Sequence, residues 1–235
     1  ELNEDNENLR EDLEDERDRL RDLGEEVEKV TGTLSDLEKL NELDEELLKK
    51  YSKVAFLNEN YLPEDLEDIR SRYLFDAASD QQIHEEVEPF LEDMIEDADD
   101  DGVELLVKSA YRSFGTQAQL KGQYLVSYGS GANAFSADQG YSEHQLGTTV
   151  DLITTGLGGT LDGFENTAAY FWLLQNAYRY GFVLSYPEGN AYYVFEPWHW
   201  RCVGVHLATS LHNDNKHFYD LEQREIDPYL VSIFD

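Results

Sequence analysis

The placement of the aromatic side chains constrains this chain most: no Tyr, Phe or Trp occurs before Tyr51. Bulky apolar side chains dominate the interior of a globular domain, so a packed core is expected only from there on. Residues 1 to about 50 are instead dense in Glu, Asp, Arg and Leu and contain no Pro. Within them Leu9, Leu13, Leu20, Leu23, Val27, Val30, Leu34 and Leu37 follow alternating four- and three-residue steps, with Glu16 at one seam position. That is a heptad stripe, and it predicts a helical coiled-coil segment. Gly24 and Gly32 weaken it, each by about 1 kcal/mol relative to Ala. The stripe fits a dimerising or spacing stalk, and equally an amphipathic helix folded back on its own domain. The expected division is therefore a stalk over 1–50 and a globular domain over 51–235.

The formal charge of −33 excludes several partners. Nucleic-acid phosphates and anionic lipid both require basic patches, so neither is expected to bind. Such acidity suits salt-rich surroundings, where repulsion between surface carboxylates is screened. Cys202 is the sole cysteine, so no intramolecular disulfide can form. No run of about 18 apolar residues is present, so no membrane-spanning helix is expected. The chain opens with Glu1 rather than Met, which leads us to expect a signal or anchor upstream.

In the globular part, Val54-Ala55-Phe56-Leu57 reads as a short buried strand, followed by turn residues from Asn58 to Pro63. A helix is expected over about Gln81 to Asp97, with Val87, Phe90, Leu91 and Met94 on one face and a kink or break at Pro89. Strands follow at Val103–Val107 and Thr148–Thr154, then a helix over Thr167–Tyr180 stopped by Gly181. Phe182–Tyr186 and Ala191–Phe195 read as a hairpin around Pro187-Glu188-Gly189-Asn190. The C-terminal part reads as helical. Helices and antiparallel strands in this order indicate an α+β domain.

Three short segments carry chemistry. In Ser142-Glu143-His144-Gln145-Leu146-Gly147-Thr148-Thr149-Val150-Asp151-Leu152, Asp151 lies inside an apolar strand, where a bare carboxylate would cost several kcal/mol. It must be paired or bound to a metal. His144 precedes the Gly147 bend, where the chain can fold its imidazole back toward Asp151, giving one nitrogen and one oxygen ligand suitable for zinc. Taken alone, the pair is read equally well as a buried Asp bonded to amides and an unrelated surface His.

The second segment is Glu196-Pro197-Trp198-His199-Trp200-Arg201. In a regular strand Glu196 and His199 would face opposite ways. Pro197 cannot donate to a ladder, so a break there lets both face one cleft. His199 can complete a three-ligand site that leaves a fourth position for water, with Glu196 as its base. The competing reading is a core His and a surface Glu. The third segment, Tyr111-Arg112-Ser113, places an Arg where it can clamp a carboxylate or stabilise an oxyanion, or serve as an ordinary surface ion-pair partner.

Together these segments resemble a known family. Ser109-Ala110-Tyr111-Arg112-Ser113 with Gln117, then Ser142 to Gly147 with Asp151, then Glu196 to Arg201 with Gly204, are similar to the VanY-like zinc D-alanyl-D-alanine carboxypeptidases over about Tyr51 to Leu211. The resemblance implies a central antiparallel sheet flanked by helices and hydrolysis of peptidoglycan stem peptides outside the cytoplasm, in the cell envelope or secreted. It implies His144, Asp151 and His199 as Zn2+ ligands and Glu196 as catalytic base. It assigns Arg112 to the substrate carboxylate or oxyanion, Gln117 and Ser142 to the terminal D-amino acid, and Trp198 to the cleft wall. The chain departs from the family pattern at Ser185, at Gln139 and at Thr148-Thr149. L,D-carboxypeptidase or endopeptidase action, a silent cell-wall-binding relative, and a coiled-coil adaptor are the competing readings. His84, expected on the first helix after the stalk, and His206, His212 and His217 have no companion motif and are not assigned to a site. Cys202 is expected to face away from His199 and Arg201, and the Asp97–Asp101 run lacks a full calcium-loop pattern.

Overall fold

The computed structural model describes residues 13, 16–34, 57, 59–128, 140–190 and 193–234. The chain divides into two units, Glu1–Leu43 and Asp44–Asp235. In the first, residues 16–34 form a helix, α1. Its heptad side chains Leu20, Leu23, Val27, Val30 and Leu34 are all more than half exposed. Intrahelical pairs at i,i+3 link Arg19 to Glu16 and Arg21 to Asp18. Such exposed pairs contribute little, typically about 0.2–1 kcal/mol each.

The second unit is α+β. Its centre is an antiparallel sheet of β3 (Leu106–Ser109), β4 (Thr149–Ile153), β6 (His199–Cys202) and β5 (Phe182–Leu184), in the order β3-β4-β6-β5. Register places Asp151 opposite His199 and Thr149 opposite Arg201. Because side chains alternate along a strand, the two faces divide cleanly. Val107, Val150, Leu152, Phe182, Leu184, Trp200 and Cys202 point into the main core. Thr149, Asp151, His199 and Arg201 share the opposite face, and all four are buried.

Helices α2 (Glu88–Asp100) and α4 (Ala168–Asn176) supply Leu91, Met94, Ile95, Ala98, Ala169, Trp172 and Leu173 to that core. Each large side chain fully buried there contributes roughly 1.5–3 kcal/mol. Thr167 caps α4, its hydroxyl accepting the Tyr170 amide at 3.2 Å. A 3-10 turn continues from Ala177 to Tyr180 and ends at Gly181 in the left-handed region. Further on, α5 (Val205–Asp214) buries Leu207, Ala208 and Leu211. Helix α3 (Phe114–Tyr128) follows β3. A separate two-stranded sheet pairs β1 (Leu66–Asp68) with β2 (Gln82–His84).

Several sequence expectations require correction. The helix expected from Gln81 begins at Glu88, and Gln82–His84 is a strand. Pro89 lies in the first turn of α2, where its missing amide costs nothing, so no kink forms. His84 is therefore a strand residue, buried and stacked on Phe234 at 4.7 Å. β3 starts at Leu106 rather than Val103 because residues 102–103 close α2, with the Val103 amide donating to Ala98 at 2.8 Å. The expected hairpin strand over Ala191–Phe195 is not formed by its described part, residues 193–195, and β5 instead pairs with β6. The strand expected over Val54–Leu57 lies outside the described residues except for Leu57, which is buried and not in a strand. Gln139 also lies outside them.

Candidate metal centre

Three elements converge on the polar face of the sheet. Asp151 is presented by the middle of β4, and His199 stands directly opposite it at the start of β6. His144 comes from a short 3-10 turn, Glu143–Leu146, that ends at Gly147 with φ +75°. Gly147 is required there. A Cβ would sit 3.3 Å from Pro63 and 3.2 Å from Leu66, in a backbone conformation that L side chains rarely adopt. The bend returns His144 to Asp151, with 3.3 Å between His144 Nε2 and Asp151 Oδ2. His199 Nδ1 lies 3.1 Å from Asp151 Oδ1.

The surroundings prepare these groups to bind a cation. His144 Nδ1 lies 2.6 Å from the Ala110 carbonyl oxygen, which can only accept, so Nδ1 carries the proton and Nε2 offers a lone pair. That Nε2 is buried and has no hydrogen-bond partner among the described residues. Burial, with Arg112 adding to it, lowers the His144 imidazole to about 4 and keeps it neutral. Burial opposes charge on Asp151 too, but His144, His199 and Arg112 outweigh it and hold the carboxyl well below its usual range. In His199 burial is again outweighed, here by hydrogen bonds to Asp151 and Glu143, and the ring is raised to about 9, so a cation bound there must displace one of its protons. Two imidazoles and one carboxylate offer ligand atoms within 4.8 Å of one another. An orphaned buried nitrogen beside such a donor set fits a divalent metal with an N2O preference.

Glu196 sits at the rim. The Pro197-Trp198 turn precedes β6, and the His199 amide donates to the Glu196 carbonyl at 3.0 Å. This break turns both side chains to one side, with Glu196 Oε2 3.6 Å from His199 Nδ1. Burial pushes the Glu196 carboxyl up to about 7, near the point where a group exchanges protons readily at neutral pH. Arg112 approaches from beyond β3, its Nη2 3.7 Å from Asp151 Oδ2. That is an ion-pair distance rather than a hydrogen bond. The Arg112 Nε is buried without a hydrogen-bond partner among the described residues, so the guanidinium retains donors.

The remaining sequence candidates flank this group. Ser142 is buried immediately before the His144 turn. Gln117 is buried on α3. Trp198 is half-buried and packs partly against the main core. Cys202 faces that core, as expected, and burial raises its thiol to about 11.

Glu143 carries no role in the sequence-based expectations, yet it is the most heavily engaged acid here. Its Oε2 lies 2.9 Å from His199 Nε2, while Oε1 accepts from Arg201 at 2.6 Å and from the Tyr219 hydroxyl at 2.8 Å. Burial is outweighed by Arg201, His199 and Tyr219, which keep Glu143 ionised far below its ordinary range. A signal existed in the sequence: Arg201 shares the face of His199, and a buried guanidinium demands a carboxylate. Tyr186 stacks on the His199 ring at 4.3 Å.

This fold and this cage, with a largely buried carboxylate at its edge, form a candidate site for a divalent metal. The family model for VanY, D-alanyl-D-alanine carboxypeptidase, matches residues 80–205, and the chain belongs to that family. It is 32% identical to a D-alanyl-D-alanine carboxypeptidase of Enterococcus faecalis (strain ATCC 700802 / V583) over 146 residues, which is 57% of this chain and 53% of the relative. The chain thus spans about half the length of that curated relative. Among solved structures it is similar to the LdcB LD-carboxypeptidase, with a TM-score of 0.62 and 29% identity over 74% of this chain and 86% of that one. It is also similar to a variant of the vancomycin-resistance D,D-pentapeptidase VanY in complex with Zn(II). There the TM-score is 0.57 and the identity 28%, over 72% of this chain and 98% of that one.

Proposed function

We propose that this protein is a zinc carboxypeptidase that removes the terminal D-alanine from D-alanyl-D-alanine ends of peptidoglycan stem peptides, acting outside the cytoplasm. The observation that carries this reading is the His144, Asp151 and His199 cage with Glu196 poised 3.6 Å from one of its rings. His144, Asp151 and His199 would hold a zinc ion, which when bound would supply Lewis-acid polarisation of the scissile carbonyl and a water acidic enough to attack at neutral pH. Glu196 Oε2 takes the proton of the attacking water and returns it to the nitrogen of the leaving D-alanine as the C–N bond breaks. Arg112, with donors to spare, pairs with the carboxylate of the terminal residue. Gln117 and Ser142 contact that residue, and Trp198 walls the cleft.

Glu196→Ala is expected to retain zinc and to lose roughly 10²–10⁴-fold in kcat, the usual worth of a positioned acid–base group. Hydrolysis at the parent rate would refute the assignment. Removal of the last residue from tetrapeptide stems is the second reading, favoured by the similarity to an LD-carboxypeptidase. Parallel assays on pentapeptide and tetrapeptide stems separate the two. We also propose that α1 pairs with a second copy through its exposed heptad stripe, which sedimentation equilibrium tests directly. No described helix is long and apolar enough to cross a membrane.

A further inference from the structure

The two imidazoles of the cage present different nitrogens to its centre: Nε2 for His144 and Nδ1 for His199. For His144 the Ala110 carbonyl explains the choice. For His199 the nitrogen turned away from Asp151 meets Glu143. We infer that Glu143 is a positioning residue that holds the proton of His199 on Nε2 and so commits Nδ1 to the metal. The inference rests on the metal-centre reading above and extends it to a residue outside the ligand set.

The wiring leaves Glu143 little choice. Arg201 can only donate, and together with the Tyr219 hydroxyl it occupies Oε1, so Oε2 is left to accept from His199. The carboxylate, Arg201 and His199 are all buried, which prevents water from substituting for any of them. Tyr186, stacked at 4.3 Å and nearly parallel, fixes the plane of the ring in which this choice is made. A carboxylate behind a ligating imidazole also raises its basicity and typically contributes roughly 10–100-fold to metal affinity.

The isosteric change Glu143→Gln inverts the arrangement. Arg201 requires an acceptor, so the amide oxygen turns toward it and the amide NH2 faces His199. That NH2 demands a lone pair on Nε2, which moves the ring proton to Nδ1, the position the metal needs. Because the amide also withdraws the charge that faces Arg201, the nitrogen of His199 that carries the proton is the readout that a merely structural role would not move.

The test uses protein labelled with 15N-histidine and loaded with 113Cd, and it can be read on the parent chain even if a variant fails to fold. We expect 15N–113Cd coupling at Nδ1 of His199 and Nε2 of His144, with a hydrogen-bonded proton on His199 Nε2. Glu143→Gln should weaken zinc binding roughly 10–100-fold in chelator competition. Tyr219→Phe, which leaves the acceptor in place, should keep His199 Nδ1 as the coupled nitrogen. Coupling at His199 Nε2 in the parent, or a Glu143→Gln protein that binds zinc as tightly as the parent, would overturn the inference while leaving the metal centre standing. Failure of the parent to bind either ion would remove both.

Discussion

Gly204 offers a sharp test of how β6, and with it His199, is held in place. It follows β6 with φ 82° and ψ 147°, a combination essentially restricted to glycine. A Cβ at this position would lie 2.6 Å from the Ile233 carbonyl oxygen and 2.9 Å from the Ile233 Cα, both backbone atoms that cannot swing aside. The backbone conformation alone costs an alanine about 1–3 kcal/mol, and forcing a methyl into a filled site adds about 1–3 kcal/mol. Gly204→Ala should therefore destabilise by about 4 kcal/mol. At roughly 2–4 °C per kcal/mol for a chain of this size, thermal unfolding followed by circular dichroism should shift down by about 8–16 °C. Gly189→Ala is the control: its φ is +78°, but nothing lies within 4 Å of the added Cβ. Its loss should reflect backbone strain alone, about 1 kcal/mol. Equal losses in the two variants would refute the steric argument.

Cys202 is buried and its thiol raised to about 11, so Ellman's reagent at pH 8 should leave the native protein unlabelled and label it on unfolding. Rapid native labelling would contradict its placement in the core. With a formal charge of −33, the folded chain repels itself, and screening relieves this. Raising NaCl from about 0.15 to 1 M shortens the screening length from about 8 to 3 Å, so the unfolding temperature should rise, and a fall would contradict the reasoning. As the proposed base, Glu196 works only when ionised, so kcat/KM should fall as pH drops. Burial sets its carboxyl at about 7, a bound cation nearby would lower it, and the acid limb should lie between the ordinary 4.5 and about 7. A limb below that interval would exclude this group.

How far the site could be read in advance follows from the kind of signal each residue leaves. Asp151, a carboxylate set in an apolar strand, advertises a need for a partner, whereas His144 and His199 each allowed a surface or core reading until the three ordered segments were taken together. Pro197 shows in sequence why Glu196 and His199 can share a side, and the turn before β6 realises it. Glu143 left a weaker trace, because its need is visible only once Arg201 is known to be buried beside His199. The misplaced elements share a cause, a local pattern overridden by tertiary pairing. The helical periodicity of Val87, Leu91 and Met94 belongs to α2 and its N-cap, while Ile83 pairs with β1 as a strand residue and is buried in the main core. Pro89 marks the start of that helix rather than a fault within it. The residues around Tyr193–Phe195 have strand-like composition, yet β5 finds its neighbour in β6, which also pairs with β4.

The decisive measurement is metal content of the purified protein paired with release of D-alanine from a synthetic pentapeptide stem. The account predicts one zinc per chain, D-alanine release that stops when a chelator removes the ion, and recovery of both on adding zinc back. Stoichiometric hydrolysis by a metal-free protein, or a protein that takes up no divalent ion at His144, Asp151 and His199, would contradict it.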